Sequence, residues 1–165
     1  VKLGCSLRTV ANKLELIRDY VRGGGGLVMA GGYLTFQGID GKGQYAGSAV
    51  EEVLPVNFSR YDDRTEKPQG VDPVVIDGGH PILKGVPAGA WPALLGYNRA
   101  TAKPDAALIA KVGDDPLLAA GSFGKGRGVT FASDLAPHWA PPPFLDWAGY
   151  APLWNGICEW AGSIR

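Results

Sequence analysis

Cysteine, histidine and net charge are all scarce in these 165 residues, and each scarcity closes off a class of function. The two cysteines, Cys5 and Cys158, stand near opposite ends of the chain with no spacing that suits a metal. They are read as two reduced thiols of a cytosolic protein rather than as one bridge. The two histidines, His80 and His138, fit no pattern of the His-x-Glu-x-His kind, so no metal site is expected and no cofactor is assigned. Sixteen basic residues balance sixteen acidic ones without runs, which argues against nucleic acid or an anionic membrane as a partner. Apolar runs such as Leu27–Ala30 fall far short of a membrane span, and Val1–Cys5 has no apolar signal-peptide core. The expected compartment is the cytoplasm.

What the chain does have is glycine (25 residues) and proline (13), dispersed at segment ends rather than gathered into a linker. That punctuation implies many short elements joined by tight turns in one domain, residues 1–165. Asn12 is placed to cap a helix carrying Leu14, Ile17 and Val21 at helical spacing, which the four glycines from Gly23 stop. Leu27–Ala30 then reads as a strand buried on both faces. A short helix is expected over Ala49–Leu54, capped by Ser48. Extended segments are expected at Val71–Ile76, Leu94–Ala102, Ala107–Val112, Leu117–Ser122 and Gly128–Ala132, and a last helix over Tyr150–Ala161.

The most informative stretch is Gly31-Gly32-Tyr33-Leu34-Thr35-Phe36-Gln37-Gly38, directly after the buried strand. Strand followed by glycine turn is the grammar of a nucleophile elbow, which lifts one side chain into a crevice at the strand ends. The apex residue here is Tyr33.

Taken with this turn, several segments resemble the glutamine amidotransferase-like family of the class I glutamine amidotransferase fold, to which the ThuA-like proteins are related. They are Gln37-Gly38-Ile39-Asp40-Gly41-Lys42, Val50-Glu51-Glu52-Val53-Leu54-Pro55-Val56, His80-Pro81-Ile82, Leu95-Gly96-Tyr97-Asn98-Arg99, Phe123-Gly124-Lys125-Gly126-Arg127, Ser133-Asp134 and Pro137-His138-Trp139-Ala140-Pro141-Pro142. The resemblance covers roughly residues 12 to 163. It implies a three-layer, flavodoxin-like α/β domain with a mostly parallel sheet plus antiparallel strands. Proteins of this fold begin with further strand-helix units that residues 1–11 are too few to supply. An N-terminally truncated form is therefore expected, with an open sheet edge covered by a second copy or a partner.

The family's Gly-x-Cys-x-Gly-x-Gln motif falls on Gly31 to Gln37, so Tyr33 replaces the nucleophilic cysteine. Its Gly-Val-Gln-Phe-His-Pro-Glu segment falls on Gly128 to Asp134, so Ala132 replaces the catalytic histidine and Asp134 the glutamate. A phenol with a pKa of about 10 and no imidazole beside it does not replace a thiolate formed next to a histidine. Glutaminase activity is not expected. A small polar metabolite bound at the elbow, or a scaffold role, is expected instead, and whether the chain is an enzyme is left open. The alternative is a hydrolase or sugar-modifying enzyme of the ThuA-like kind using Tyr33, Asp134 and His138. Those three are the catalytic candidates, and Gly31, Gly32, Gln37, Lys42 and Trp139 the ligand-binding ones. Each has a second, structural reading: Tyr33 as pocket filler, Gln37 as a loop tie, His138 packed on Trp139.

Overall fold

The structure, a computed structural model, describes residues 12–162. The expectations about Cys5 and about residues 1–11 lie outside the described residues. Helix α1 (Lys13–Arg22) starts where Asn12 offers its side-chain oxygen to the Leu14 N–H at 3.0 Å. Gly23 caps its far end, with Gly24 taking the positive φ. The chain then enters β1 (Gly26–Ala30).

Further along lie β2 (Val56–Phe58), β3 (Arg64–Val71), β4 (Pro73–Val75), β5 (Leu94–Asn98), β6 (Ala100–Ala102), β7 (Ala107–Val112), β8 (Asp115–Phe123) and β9 (Gly126–Phe131). The short α2 (Pro142–Leu145) and the longer α3 (Tyr150–Gly162) close the described chain. Five strands form the main sheet in the order β1-β9-β8-β7-β4, while β2 pairs with β6 and β3 with β5 in two small antiparallel sheets.

The mostly parallel sheet expected from the resemblance is not found. Only β1 and β9 run parallel, and the other three neighbouring pairs of the main sheet are antiparallel. For two of those three pairs, β7–β8 and β8–β9, the reason is connection length. Gly113-Asp114 joins β7 to β8 and Gly124-Lys125 joins β8 to β9, and a two-residue turn can only reverse a strand. A parallel neighbour needs a long crossover, and the roughly hundred residues between β1 and β9 supply the one that occurs.

Three other expectations are revised. Leu94–Ala102 is two strands, β5 and β6, which pair in different sheets. The helix expected over Ala49–Leu54 is a single 3-10 turn at Glu51–Val53 with no side-chain cap from Ser48. The Glu51 carboxylate instead accepts the N–H groups of Gly47 (2.5 Å) and Phe58 (2.6 Å) and fastens the turn to β2. No expectation covered β3, whose polar run with Pro68 and Gly70 lacks strand periodicity and whose register against β5 slips between Glu66 and Val71.

Alternation along the strands divides the core in two. Val28, Val129 and Phe131 pack with Leu153, Ile157 and Ala161 of α3 on one side of the main sheet. Leu27, Met29 and Ala119 pack with Leu14 of α1, Leu54, Val56 and Phe58 on the other. The helices lie directly on the sheet. A Cβ at Gly26 would strike the carbonyl of Ala161 in α3, and one at Gly126 would strike that of Val21 in α1. Gly126→Ala is therefore expected to lower stability by about 1–3 kcal/mol, the usual cost of overpacking. A urea midpoint equal to the wild type's would show that α1 can retreat freely.

Candidate functional site

The site assembles where β1 and β9, running parallel, end together. The Gly31 N–H donates to the carbonyls of Phe131 (2.8 Å) and Ser133 (3.1 Å), carrying the ladder just past both strands. The next peptide is fixed by a side chain. Asn98, wholly buried at the end of β5, accepts the Gly32 N–H on Oδ1 (2.8 Å) and donates from Nδ2 to the Gly32 carbonyl (3.1 Å). The same Nδ2 donates to Oδ1 of Asp63 (2.8 Å), which is also wholly buried. Asp63 further accepts the N–H groups of Gln37 (2.8 Å) and Gly38 (3.0 Å). Both ends of the Gly32–Gly38 loop are thus held by one buried carboxylate–amide pair.

No α-helix follows the loop; the chain passes through a 3-10 turn at Ile39–Gly41 instead. The strand-to-helix elbow expected from the sequence is in fact a strand-to-loop turn. Repeated glycines and positive φ at Phe36 (54°), Asp40 (52°) and Gln44 (57°) break any helical run there.

Tyr33 projects from this loop, 39% exposed. Its hydroxyl donates to Oε1 of Glu66 in β3 (2.9 Å), and Oε2 of Glu66 accepts the indole N–H of Trp139 (2.9 Å). The ring meets His138 edge-on at 4.7 Å and Trp139 at 5.6 Å between centroids, with the Arg64 guanidinium 4.8 Å from its own centroid. A bidentate pair with Asp62 (3.0 and 2.7 Å) holds that guanidinium. The pairing keeps Arg64 more firmly protonated than usual and puts the Asp62 carboxyl well below the usual carboxylate range, helped by the Asp40 N–H. The bond to Glu66, then burial, pushes the Tyr33 phenol up from its ordinary value, against the opposing pull of Arg64.

Asp134 and His138 join the same cluster from the loop after β9. Nδ1 of His138 lies 2.9 Å from Oδ2 of Asp134, which also accepts the Trp139 N–H at 3.1 Å. His138 has φ 147°, a backbone conformation that residues with a side chain rarely adopt, at a typical cost of about 1–3 kcal/mol. Its neighbour anchors it. Trp139 is fully buried, its carbonyl accepts the Leu95 N–H (2.8 Å), and its indole fills the space where Gly96 has no Cβ.

The structure therefore brings Tyr33, Asp134 and His138 together. Contrary to expectation, an imidazole does stand beside the Tyr33 ring, although the Tyr33 hydroxyl bonds Glu66 instead. The ligand-binding candidates are placed differently. Trp139 cannot stack on a ligand from its buried position; it props Glu66 and His138 from behind. Gln37 ties its own loop, accepting from Ala46 N–H (3.3 Å) and donating to Arg60 (3.3 Å) and Gly41 (3.5 Å) carbonyls. Gly31 and Gly32 direct their N–H groups into the protein, and Lys42 pairs with Asp40 at 2.8 Å. His80 caps the 3-10 turn Pro81–Leu83 by accepting the Ile82 N–H on Nδ1 (3.3 Å), and burial lowers its pKa. Among the described residues no three His, Cys, Asp or Glu side chains are grouped to hold a metal.

Glu66, Arg64, Asp63 and Asn98 belong to the site and escaped the sequence reading. Asn98 lay in a quoted segment without a role, and the other three sit in or beside a strand without periodicity.

Two consequences are measurable. Asn98→Ala strands the Gly32 N–H and removes a donor from Asp63, and should cost about 2–4 kcal/mol in chemical denaturation; a loss below 0.5 kcal/mol, roughly the scale of a surface change, would contradict the assigned tie. Asp62 has a folded pKa below its unfolded value of about 3.9, so its contribution is present above that pH and lost as pH falls further. Asp62→Asn should flatten the fall in stability below about pH 4 while leaving the slope above pH 5 unchanged.

No curated protein matches the chain. Two cytoplasmic proteins of Salmonella typhimurium do among solved structures. One, from strain LT2, is 44% identical with a TM-score of 0.87, over 92% of this chain and 61% of that one. The other is 39% identical with a TM-score of 0.89, over 96% and 64%. The chain thus spans somewhat over three-fifths of these relatives' length. A ThuA-like protein of Parabacteroides merdae shares the fold at 11% identity and a TM-score of 0.56, over 89% of this chain and 63% of that one. A family model described as "Putative glutamine amidotransferase" matches residues 4–163, and the chain belongs to that family.

Proposed function

We propose that this domain does not hydrolyse glutamine and that it binds a small polar metabolite on the face formed by Tyr33, His138 and Glu66. The observation that carries this reading is the state of the two positions matched to the amidotransferase pair. The Tyr33 hydroxyl donates to Glu66 and its phenol is harder to ionise than usual, so it is no substitute for a thiolate. Ala132 is buried against the α1-side core and carries no group that could take a proton. The exposed face has two aromatic rings and a carboxylate, a combination suited to a ligand bearing hydroxyls or amines.

A second reading, a hydrolase working through Asp134 and His138, is favoured by the 2.9 Å contact between them. The ThuA-like neighbour supports the shared fold alone and adds nothing to either reading.

The purified protein is expected to release no ammonia from glutamine above the rate in buffer; robust release would overturn the first half of the proposal. For the second half, ring resonances of Tyr33 should shift with a member of a panel of monosaccharides, polyols and amino acids, and Tyr33→Ala should abolish that binding. Binding that survives the substitution would place the ligand elsewhere.

A further inference from the structure

We propose that Asp134 and His138 form an acid–base pair in which Nε2 of His138 activates water toward the carbonyl of a small polar ester. The inference rests on the reading that the Tyr33–His138 face is the working surface.

Three observations converge on it. First, the Asp134 contact is at Nδ1, which leaves Nε2 as the second ring nitrogen, on a side chain 43% exposed. A carboxylate on Nδ1–H fixes one tautomer and makes Nε2 the basic atom. Second, His138 sits on strained backbone at φ 147°. A surface ion pair needs no such strain, and Asp134 already has a partner in the Trp139 N–H. The strain is held by the buried Trp139 next door, whose indole, N–H and carbonyl are all engaged. Strain maintained by an over-determined neighbour is typical of positions where geometry serves function. Third, the imidazole and the Tyr33 ring make a T-shaped contact with centroids 4.7 Å apart, so whatever rests on the tyrosine is within reach of the imidazole.

The same geometry sets the substrate class. The Tyr33 hydroxyl donates to Glu66, so the cluster has a base but no activated side-chain nucleophile. Water must attack. Nε2 takes one proton from water as the water oxygen bonds to the carbonyl carbon. The tetrahedral adduct then expels the alkoxide, which regains that proton from the imidazolium, and acid and alcohol depart with no change in oxidation state. An ester, with a good leaving group, suits a lone base; an amide such as glutamine needs more. Asp134 acts through His138 and is a positioning residue.

The chain has only two histidines, which makes the experiment assignable. Hydrolysis of p-nitrophenyl acetate is followed between pH 5 and 9 against an equal concentration of 4-methylimidazole. The protein should exceed the free imidazole by at least about a hundredfold, the lower end of what a positioned base contributes. His138→Gln should remove the excess, and His80→Asn, which keeps a capping side chain, should retain it. Asp134→Asn should lower the rate and let the His138 proton redistribute between the two ring nitrogens in nitrogen-15 spectra. A protein no faster than 4-methylimidazole, or a His138→Gln variant as fast as the wild type, overturns the proposal. Should the variants unfold, nitrogen-15 spectra of the wild type decide: His138 with its proton on Nδ1 supports the pair, and a proton on Nε2 refutes it. Ligand-induced shifts at Tyr33 with no ester hydrolysis would reject the base while leaving the binding face intact.

Discussion

Asp63 is a carboxylate with no solvent exposure, and the loop that carries Tyr33 takes its shape from it. Three N–H groups converge on its two oxygens, from Gln37, Gly38 and the Asn98 amide, while Asn98 clamps both sides of the Gly32 peptide. Burying a carboxylate is costly unless its hydrogen bonds are replaced, and here two of the three donors are peptide groups that would otherwise be orphaned in a loop without secondary structure. Each side therefore needs the other. The Asp63 carbonyl accepts from Arg99 and the Asn98 N–H donates to Ala132, so the knot also joins β5 to the end of β9. The main sheet, the small β3–β5 sheet and the Tyr33 loop meet at these two side chains.

The arrangement explains why the site lies where it does. Parallel β1 and β9 release their chains at the same end, which is where α/β sheets generally place ligands. In this chain the β3–β5 ribbon stands over that end. Arg64 and Glu66, two apart on β3, share a face and reach the tyrosine from its ring and its hydroxyl respectively. Asp63, just before the strand, faces inward to the knot. One short segment thus holds the loop from below and decorates the cluster from the side.

Legibility in the sequence followed the range of the interaction. Helix α1 and its Asn12 cap, β1, β7 and α3 are set by local periodicity and capping, and they stand close to where the sequence puts them. The mostly parallel sheet is an expectation of the family resemblance alone, whereas the turn at Phe123-Gly124-Lys125-Gly126-Arg127 reads locally as a hairpin and joins the antiparallel pair β8–β9. At the site, Tyr33, Asp134 and His138 could be named because they sit on turns with unusual composition. Glu66 and Asp63 could not be, since nothing in Asp62-Asp63-Arg64-Thr65-Glu66 distinguishes the buried acid from the exposed ones. Only the pairing of β3 with β5, across about thirty intervening residues, decides which carboxylate meets Asn98.

The fold and the residues gathered at the site bear on each other. A thiolate nucleophile needs an imidazole beside it and donors around it, whereas a tyrosine can bond Glu66, pack against His138 and Trp139, and receive Arg64 over its ring. Those contacts make the Tyr33 side chain part of the structure that ties the loop to the β3–β5 ribbon. Position 33 contributes to the architecture of its own site, and Tyr33→Cys would remove the hydroxyl from Glu66 and leave that carboxylate with the Trp139 indole alone among these contacts. What this arrangement leaves exposed is the imidazole of His138, braced by Asp134 on one side and by a buried tryptophan behind it.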